Sequence, residues 1–460
     1  MTSWAPELTM GKPRYLAIAD AIAADLKAGK LKPGEKLPPQ RQLAWQLGVT
    51  LGTVTRAYQE AERRGLLSGE VGRGSYLRSP DPDIPVIVDS ADPAVLDMQV
   101  SSPPRVIRKA EFEAGLQAIA EAANWQDLFD YPSTAGRETQ RAAAGRWLRP
   151  SGVEVSPDRL MLAAGAQAAL VTTFSALART GDRVLIEPLS YPTVQPILRH
   201  LGLQPRPIEA DAQGIIPDSL EQWARSGEAK LLYLVPTLHN PTTVTLSLER
   251  RRAVAEIARR HGLSIIEDDV FRLLADNPPP PLQALAPERV YHVSSLSKTV
   301  APGLRIGMVA TPEGATDALI RQQRITGGRA AAIMAELARV WIETGIADRT
   351  LAQIKRELAV RRTVLFEVME RRQPACEPGA MFAWLPLPER WVPTEFAALA
   401  QARGVKITPG PAFAVDRTAP HHAVRLCIGA PSSVERLRHG LAVIDRLMDE
   451  EIDERYQAMA

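Results

Sequence analysis

The sequence predicts two unlike folds in series: an N-terminal winged helix-turn-helix, then a larger α/β body built on a mostly parallel sheet. Three observations carry this. Three short helical patterns and a hairpin pattern fill residues 14–77. A run rich in proline and aspartate, residues 79–97, then breaks all periodicity. From about residue 98 onward, helical patterns alternate with short aliphatic runs, the rhythm of successive strand–helix–strand units.

The first helix follows from Leu16, Ile18, Ala19, Ile22, Ala23 and Leu26, whose spacing gathers them on one face over residues 14–28. Gly29 and the Pro33–Gly34 pair stop it. Pro38–Pro39 open a second helix that runs to about Leu47, and Gly48 ends it. Thr50 has the hydroxyl of an N-cap for a third helix, from Gly52 to about Arg64. LLSGEVGRGSYL (66–77) reads as two strands turning at Gly72–Gly74. The run 79–97 holds four prolines and five aspartates, too many breakers for a helix, and reads as a semi-rigid acidic linker. In the body, strands are expected at 161–165, 183–188, 230–236, 263–269, 290–295 and 305–310. Helices are expected at about 105–125, 137–149, 167–179, 194–201, 218–225 and 248–261. A long helical stretch follows to 372, then a smaller α+β part with strands at 381–385 and 424–428. The expected domains are therefore 1–78, a linker at 79–97, and 98–460.

Hydrophobic residues make up 45% and charged residues 23%, proportions ordinary for a soluble globular chain. Net charge is +2, but residues 1–78 carry +5 and the remainder −3, which assigns any nucleic-acid contact to the small N-terminal unit. Cys376 and Cys427 are the only cysteines, which excludes a disulfide framework and fits a reducing compartment. No run approaches the ~18 apolar residues of a membrane span, and no leader pattern starts the chain, so a cytoplasmic protein without membrane contact is expected. Neither the cysteines nor the seven histidines have metal-ligand spacing, and no metal is expected.

In a helix-turn-helix the second helix of the pair enters the major groove and offers its N-terminal residues to base edges. Here those are Thr50, Leu51, Gly52, Thr53 and Thr55, with Arg56 and Tyr58 one turn on. Arg41, at the start of the preceding helix, and Arg73, at the wing tip, are placed for phosphates or groove edges. The order LPPQRQLAWQLGVTLGTVTRAYQEAERRGLL…GRGSYL resembles the DNA-binding domain of the GntR superfamily, which implies double-stranded DNA as a partner. That superfamily commonly has Arg where this chain has Leu51. Leucine can touch a thymine methyl but cannot pair with guanine.

The body repeats one habit: chemistry-bearing residues just past strand-like runs. Lys298 lies in SSLSKTVAPGLRIG (294–307), with Arg305 seven residues on, past a Pro302–Gly303 turn. Asp268 closes LSIIEDD, Asn240 lies in TLHNPT (237–242), Tyr191 follows RVLIEP, and Gly165–Ala166–Gln167 joins a strand to a helix. Pyridoxal phosphate needs such a set: an amine for an imine, an acid for its pyridine nitrogen, and an anion site. On this reading Lys298 forms the imine and Asp268 keeps the ring nitrogen protonated. Asn240 donates to the ring hydroxyl oxygen, and Tyr191 stacks on the ring face. The phosphate falls to backbone N–H groups of Gly165, Ala166 and Gln167, the hydroxyls of Ser295 and Ser297, and the Arg305 guanidinium. Each residue alone suits a plainer role, such as a turn, a cap or a solvated cation.

Together these segments resemble the fold-type I aminotransferases of the aspartate aminotransferase superfamily over about residues 98–450. The resemblance implies an α/β pyridoxal phosphate-dependent transferase body with large and small subdomains. It implies that Tyr131, in YPSTAG (131–136), reaches the other subunit's phosphate in a head-to-tail homodimer. It also implies that Arg425, in VRLCIG, grips a substrate α-carboxylate, with Asn240 likewise on the substrate's side. Relatives usually carry Tyr three residues past the aspartate, where this chain has Phe271. Losing that donor is expected to leave the ring oxygen more basic and to raise the imine pKa.

A GntR-like reader ahead of such a body resembles the MocR subgroup of transcriptional regulators. This implies a pyridoxal phosphate-dependent regulator in which an amino acid or amine displaces Lys298, and the body's response moves paired DNA-binding units. Two other readings stay open. One is a working aminotransferase acting on an α-amino acid and a 2-oxo acid; the other is a regulator whose effector is pyridoxal phosphate itself.

Overall fold

The computed structural model describes residues 4–6, 8, 12–32, 35–64, 66–70, 74–77, 95–122, 125–131, 133–416 and 421–450. The helix stop expected at Pro33–Gly34, the wing tip with Arg73, and nearly all of the expected linker lie outside these residues. The chain divides into two compact units. One holds the described residues within 1–97, 385–425 and 442–450; the other holds those within 98–384 and 426–441.

In the first unit, α1 (Arg14–Lys27), α2 (Gln40–Leu47) and α3 (Leu51–Arg63) precede the antiparallel strands β1 (Leu67–Glu70) and β2 (Gly74–Leu77). α2 begins directly after Pro39 and stops at Gly48, whose φ of 62° is the left-handed conformation that a Cβ disfavours. Thr50 caps α3 by accepting from the Thr53 N–H at 3.2 Å. Ile18, Ile22 and Leu26 of α1 pack with Leu43 of α2 and Val54, Ala57 and Ala61 of α3. Burying each large aliphatic side chain stabilises the unit by about 1.5–3 kcal/mol. Arg64 is 4% exposed and ion-pairs with Asp20 at 2.6 Å and Glu60 at 2.8 Å, which fastens the end of α3 to α1. Tyr58, expected on the DNA-facing surface, is instead buried. It falls on the inward face with Val54 and Ala61, and its hydroxyl donates to the Pro38 carbonyl at 2.7 Å. The later part of this unit contains the helix Pro393–Ala402 and the strand Thr408–Pro409, which pairs antiparallel with Val424–Arg425. Trp391, Phe396 and Phe413 are fully buried there.

The second unit contains a seven-stranded sheet. Its spatial order is Leu160–Ala163, Gly307–Ala310, Val290–Ser295, Ser264–Asp268, Ala229–Leu234, Arg183–Ile186, Gln204–Pro207. All strands run the same way except Gly307–Ala310, which is antiparallel to both neighbours. Alternate residues of one strand face opposite layers. Leu232 and Leu234 join a core with the helices Pro217–Ser226 and Leu248–His261, whereas the Tyr233 ring meets Phe174 of the helix Ala166–Leu177 at 5.8 Å. Helices therefore cover both faces. Six of these strands match expected runs; Gln204–Pro207 does not. Pro205 and Pro207 hide its pattern, and they are tolerated because this strand lies at the sheet's edge, where a missing N–H leaves no neighbour unbonded. The single helical stretch expected up to 372 is three helices, Thr316–Thr326, Ala332–Glu343 and Ile346–Met369. Gly327 (φ 70°) and Gly345 (φ 72°) separate them.

Candidate functional site

The sheet's direction gathers the candidate residues on one edge. Strands running in the same sense present their carboxyl ends together, and in open α/β sheets that edge receives ligands. Asp268 is the last residue of its strand, and Ser295 the last of the next. Gly165 follows Leu160–Ala163, and Tyr191 and Asn240 lie in the loops after Arg183–Ile186 and Ala229–Leu234. Gly307–Ala310 runs the other way, so the residues just before it, including Arg305, enter from this same edge.

Asp268 is 4% exposed. Its Oδ2 accepts from the Tyr233 hydroxyl at 2.8 Å, and its Oδ1 is buried without a partner among the described residues. Burial pushes the Asp268 carboxyl up to about 6; the Tyr233 hydrogen bond and the Lys298 ammonium pull it down, while the Asp269 charge pushes it up. Lys298 is half-buried on the short helix Leu296–Thr299, and its Nζ donates to the Ser101 carbonyl.

Gly165 has φ 87° and ψ 170°, a conformation that only glycine adopts without strain, and it caps the helix Ala166–Leu177. A Cβ at Gly165 would lie 2.7 Å from Arg305 Nη2. Arg305 is itself left-handed (φ 50°) and donates from Nη2 to the Ala164 carbonyl at 3.2 Å. A Cβ on Gly307 would lie 2.5 Å from the Gly165 carbonyl group, so these two backbones rest directly on one another. Gln167 is exposed at the helix start, with Ala166 partly so. Ser295 has a different task from the one expected. Its Oγ caps the Lys298 helix by accepting from the Ser297 N–H at 3.1 Å, and its proton goes to the Ile306 carbonyl at 2.9 Å. Ser297 Oγ lies 3.0 Å from Ser295 Oγ, so the two hydroxyls share a hydrogen bond.

Tyr191 is half-buried, and Asn240 is 3% exposed at a cis bond to Pro241. Between their loops lies a pair that sequence reasoning missed. His239 Nε2 is 3.1 Å from the Leu189 carbonyl and 3.4 Å from the buried Glu187, which also accepts from the Val235 N–H. Phe271 is 4% exposed, its ring 5.4 Å from that of Phe382. Tyr131 is 97% exposed, and Phe112, Leu116, Trp125 and Phe129 are exposed nearby in sequence. In the other unit Arg425 is 5% exposed, and its guanidinium stacks 4.8 Å from the Phe413 ring.

Behind Asp268 sits a buried charged stratum, also unforeseen. Glu267, Asp269 and His292 place donor atoms within 4.8 Å of one another. Their charges are met from within: Glu267 accepts from the Leu282 and Gln283 N–H groups and from His292 Nδ1 at 2.9 Å. Arg251 lies 3.8 Å from Glu267, and Arg272 lies 3.4 Å from Asp269. Burial raises both carboxyls, but His292, Arg251 and a backbone donor outweigh it for Glu267, which ends below its usual range. Asp269 stays raised, since Glu267 adds repulsion.

On the reader, Leu51 is 43% exposed and Arg41, Thr50, Gly52 and Arg56 are exposed, while Thr53 and Thr55 are partly so. Thr50 and Thr53 share a hydroxyl contact of 2.8 Å, and Thr55 Oγ1 donates to Gln40 Oε1 at 2.7 Å. The Arg56 guanidinium stacks 4.1 Å from the Tyr15 ring.

Residues 94–444 match the model of aminotransferase class I and II. The chain belongs to the aminotransferase class I and II family. Ahead of that match, residues 14–77 match the bacterial regulatory proteins of the gntR family, and the two together make the MocR arrangement. This aminotransferase-family chain is 33% identical over 455 residues to the uncharacterized HTH-type transcriptional regulator YdeF of Bacillus subtilis, covering 97% of each chain. It is 29% identical over 428 residues to the vitamin B6 salvage pathway transcriptional repressor PtsJ of Salmonella typhimurium, covering 91% of this chain and 95% of that one. An archaeal alanine:glyoxylate aminotransferase structure matches with TM-score 0.72 and 26% identity, over 78% of this chain and 91% of its own. The class I and II aminotransferases are pyridoxal phosphate-dependent enzymes of fold type I, and two features here suit that cofactor. The orphaned Asp268 Oδ1 lacks a cationic donor of the kind a protonated pyridine nitrogen supplies, and at Gly165 a helix start lies directly against the Arg305 guanidinium, N–H donors and a permanent cation of the kind a phosphate takes. No helix among the described residues is long and apolar enough to cross a membrane.

Proposed function

We propose that this protein is a transcriptional regulator that binds DNA through its winged helix and pyridoxal phosphate through its aminotransferase-family body, and that it responds to an amino acid or amine. The observation that carries the cofactor half is the buried, unpartnered Asp268 Oδ1 at the ligand edge of the sheet. Bound pyridoxal phosphate supplies an aldehyde that condenses reversibly with primary amines and a ring that withdraws electrons. Lys298 offers the resident amine, and Asp268 holds a proton on the ring nitrogen. Gly165, Ala166 and Gln167 offer N–H groups at a helix start, where the helix dipole favours an anion; Ser297 adds a hydroxyl and Arg305 a permanent cation. Asn240 orients the ring hydroxyl, Tyr191 covers one ring face, and Phe271 leaves the ring oxygen one donor short.

The regulatory half rests on the make-up of the first unit. Arg425, assigned the effector's carboxylate, belongs to the same compact unit as the DNA-reading helices. Arg63, at the end of α3, donates to the Glu389 carbonyl at 3.3 Å, a direct link between the reader and that segment. A carboxylate held at Arg425 would be held within the reader's own unit. The exposed apolar side chains from Phe112 to Tyr131 suit a subunit interface, and a head-to-tail homodimer would present two readers to two half-sites.

The deciding experiment measures binding of the full chain to the DNA upstream of its own coding sequence by fluorescence anisotropy. The arms are cofactor-free protein, protein with pyridoxal phosphate, and protein with cofactor plus each amino acid. Affinity should depend on the cofactor and on at least one amino acid, and Lys298→Ala should abolish the amino-acid effect. Affinity indifferent to every addition would overturn the sensor reading. Transamination faster than ~1 per second with any amino acid and 2-oxo acid would instead mark a working enzyme.

A further inference from the structure

We propose that Tyr233 is a positioning residue for Asp268: its hydroxyl fixes one carboxylate oxygen so that the other faces the cofactor's ring nitrogen as a charged acceptor. This rests on the reading that the body binds pyridoxal phosphate and names a residue that the reading does not use. Tyr233 and Asp268 lie on adjacent parallel strands, with Tyr233 in register with Ile266, two residues before the aspartate. The Tyr233 Oη donates to Oδ2 at 2.8 Å, and Tyr233 is 0% exposed. Phe174 packs against the ring at 5.8 Å.

A phenylalanine would fill this position equally well as far as packing is concerned. The hydroxyl is what needs explaining, because a buried O–H without an acceptor is costly. Here it finds Asp268, an acid at the ligand edge whose other oxygen has no partner among the described residues. The donation has two effects. It stabilises the ionised carboxylate against the burial that favours the neutral acid. It also holds the carboxylate plane, since a carboxylate with one oxygen tied turns less freely about its side-chain bond. Both effects favour a partner that brings a protonated ring nitrogen. Neither favours one that presents carbon and hydrogen there.

That asymmetry supplies the test. Dissociation constants would be measured with cofactor-free full chain for pyridoxal phosphate and for its benzene-ring analogue, in which carbon replaces the ring nitrogen. Tyr233→Phe should weaken pyridoxal phosphate binding about tenfold, the size of one lost hydrogen bond to a charged group. The analogue pairs best with the neutral acid, so the same substitution should leave its binding within about twofold or tighten it. In an Asp268→Asn background, Tyr233→Phe should change pyridoxal phosphate affinity by less than about twofold, because no carboxylate remains to be charged. Equal weakening of both ligands means a packing role and overturns the proposal. An unchanged affinity for pyridoxal phosphate overturns it too. A parent protein that binds neither ligand overturns the cofactor reading itself, a different and separately visible failure.

Discussion

Replacing Asp268 by Asn should make the cofactor-free protein more stable at neutral pH while impairing its capture of pyridoxal phosphate. The carboxyl is raised from its usual 3.8 to about 6, first by burial and then by the Asp269 charge, with the Tyr233 hydrogen bond offsetting part of the rise. The folded state therefore binds this proton more tightly than the unfolded chain does. The resulting stability is fully present below pH 3.8 and is lost as pH rises through about 6. At ~1.4 kcal/mol per pH unit, the whole window is worth about 3 kcal/mol, of which roughly 2.5 falls between pH 4 and pH 7. Asn does not titrate, and its carbonyl oxygen still accepts from Tyr233. Equilibrium urea unfolding of parent and variant at pH 4 and pH 7 gives the comparison. The stability gap should move about 2.5 kcal/mol in the variant's favour between the two pH values. Parallel pH dependence in the two proteins would refute the assignment of a strained, buried acid.

Gly165→Ala forces a side chain into a glycine-only conformation and against Arg305, with an expected cost of about 1–3 kcal/mol by thermal unfolding. It should also weaken pyridoxal phosphate binding at least tenfold, and normal stability with normal affinity would show that the turn is not the phosphate site. Phe271→Tyr restores a donor beside the ring oxygen and should lower the pH at which the bound cofactor's visible band shifts; a midpoint that stays or rises removes the role assigned to this position. Thr50→Ala deletes the cap of α3 and should cost about 1 kcal/mol of reader stability by chemical denaturation. Leu51→Ala, at an exposed position, should leave stability within about 0.5 kcal/mol yet lower DNA affinity, and unchanged affinity would place Leu51 outside the interface.

The ends of strands were the readable part of this chain. Lys298, Asp268, Asn240 and Gly165 stand at points where an aliphatic run gives way to a turn, and the observed sheet brings all of those points to one edge. What could not be read was chemistry held between strands. Tyr233 sits inside its strand, one residue before the end, as one residue of an apolar run, and only strand register reveals that it reaches Asp268. A tyrosine inside an otherwise aliphatic buried run was the available hint, since its hydroxyl must find a partner. His292 and Glu267 are hidden for the same reason, on neighbouring strands 25 residues apart. Tyr58 shows the opposite error: proximity to the recognition residues suggested exposure, but helical periodicity turns it into the core. The edge strand Gln204–Pro207 escaped because its prolines break a pattern that only interior strands must keep.

Where Gly307 meets Gly165, neither residue has a side chain and backbone lies against backbone. The turn proposed for the phosphate and the strand that follows Arg305 therefore rest backbone on backbone, and an added carbon at Gly307 would force them apart. A diverged copy of this chain that had abandoned its vitamin would be free to fill that crevice. A methyl group at either position would record the abandonment even in a protein that still carried its lysine.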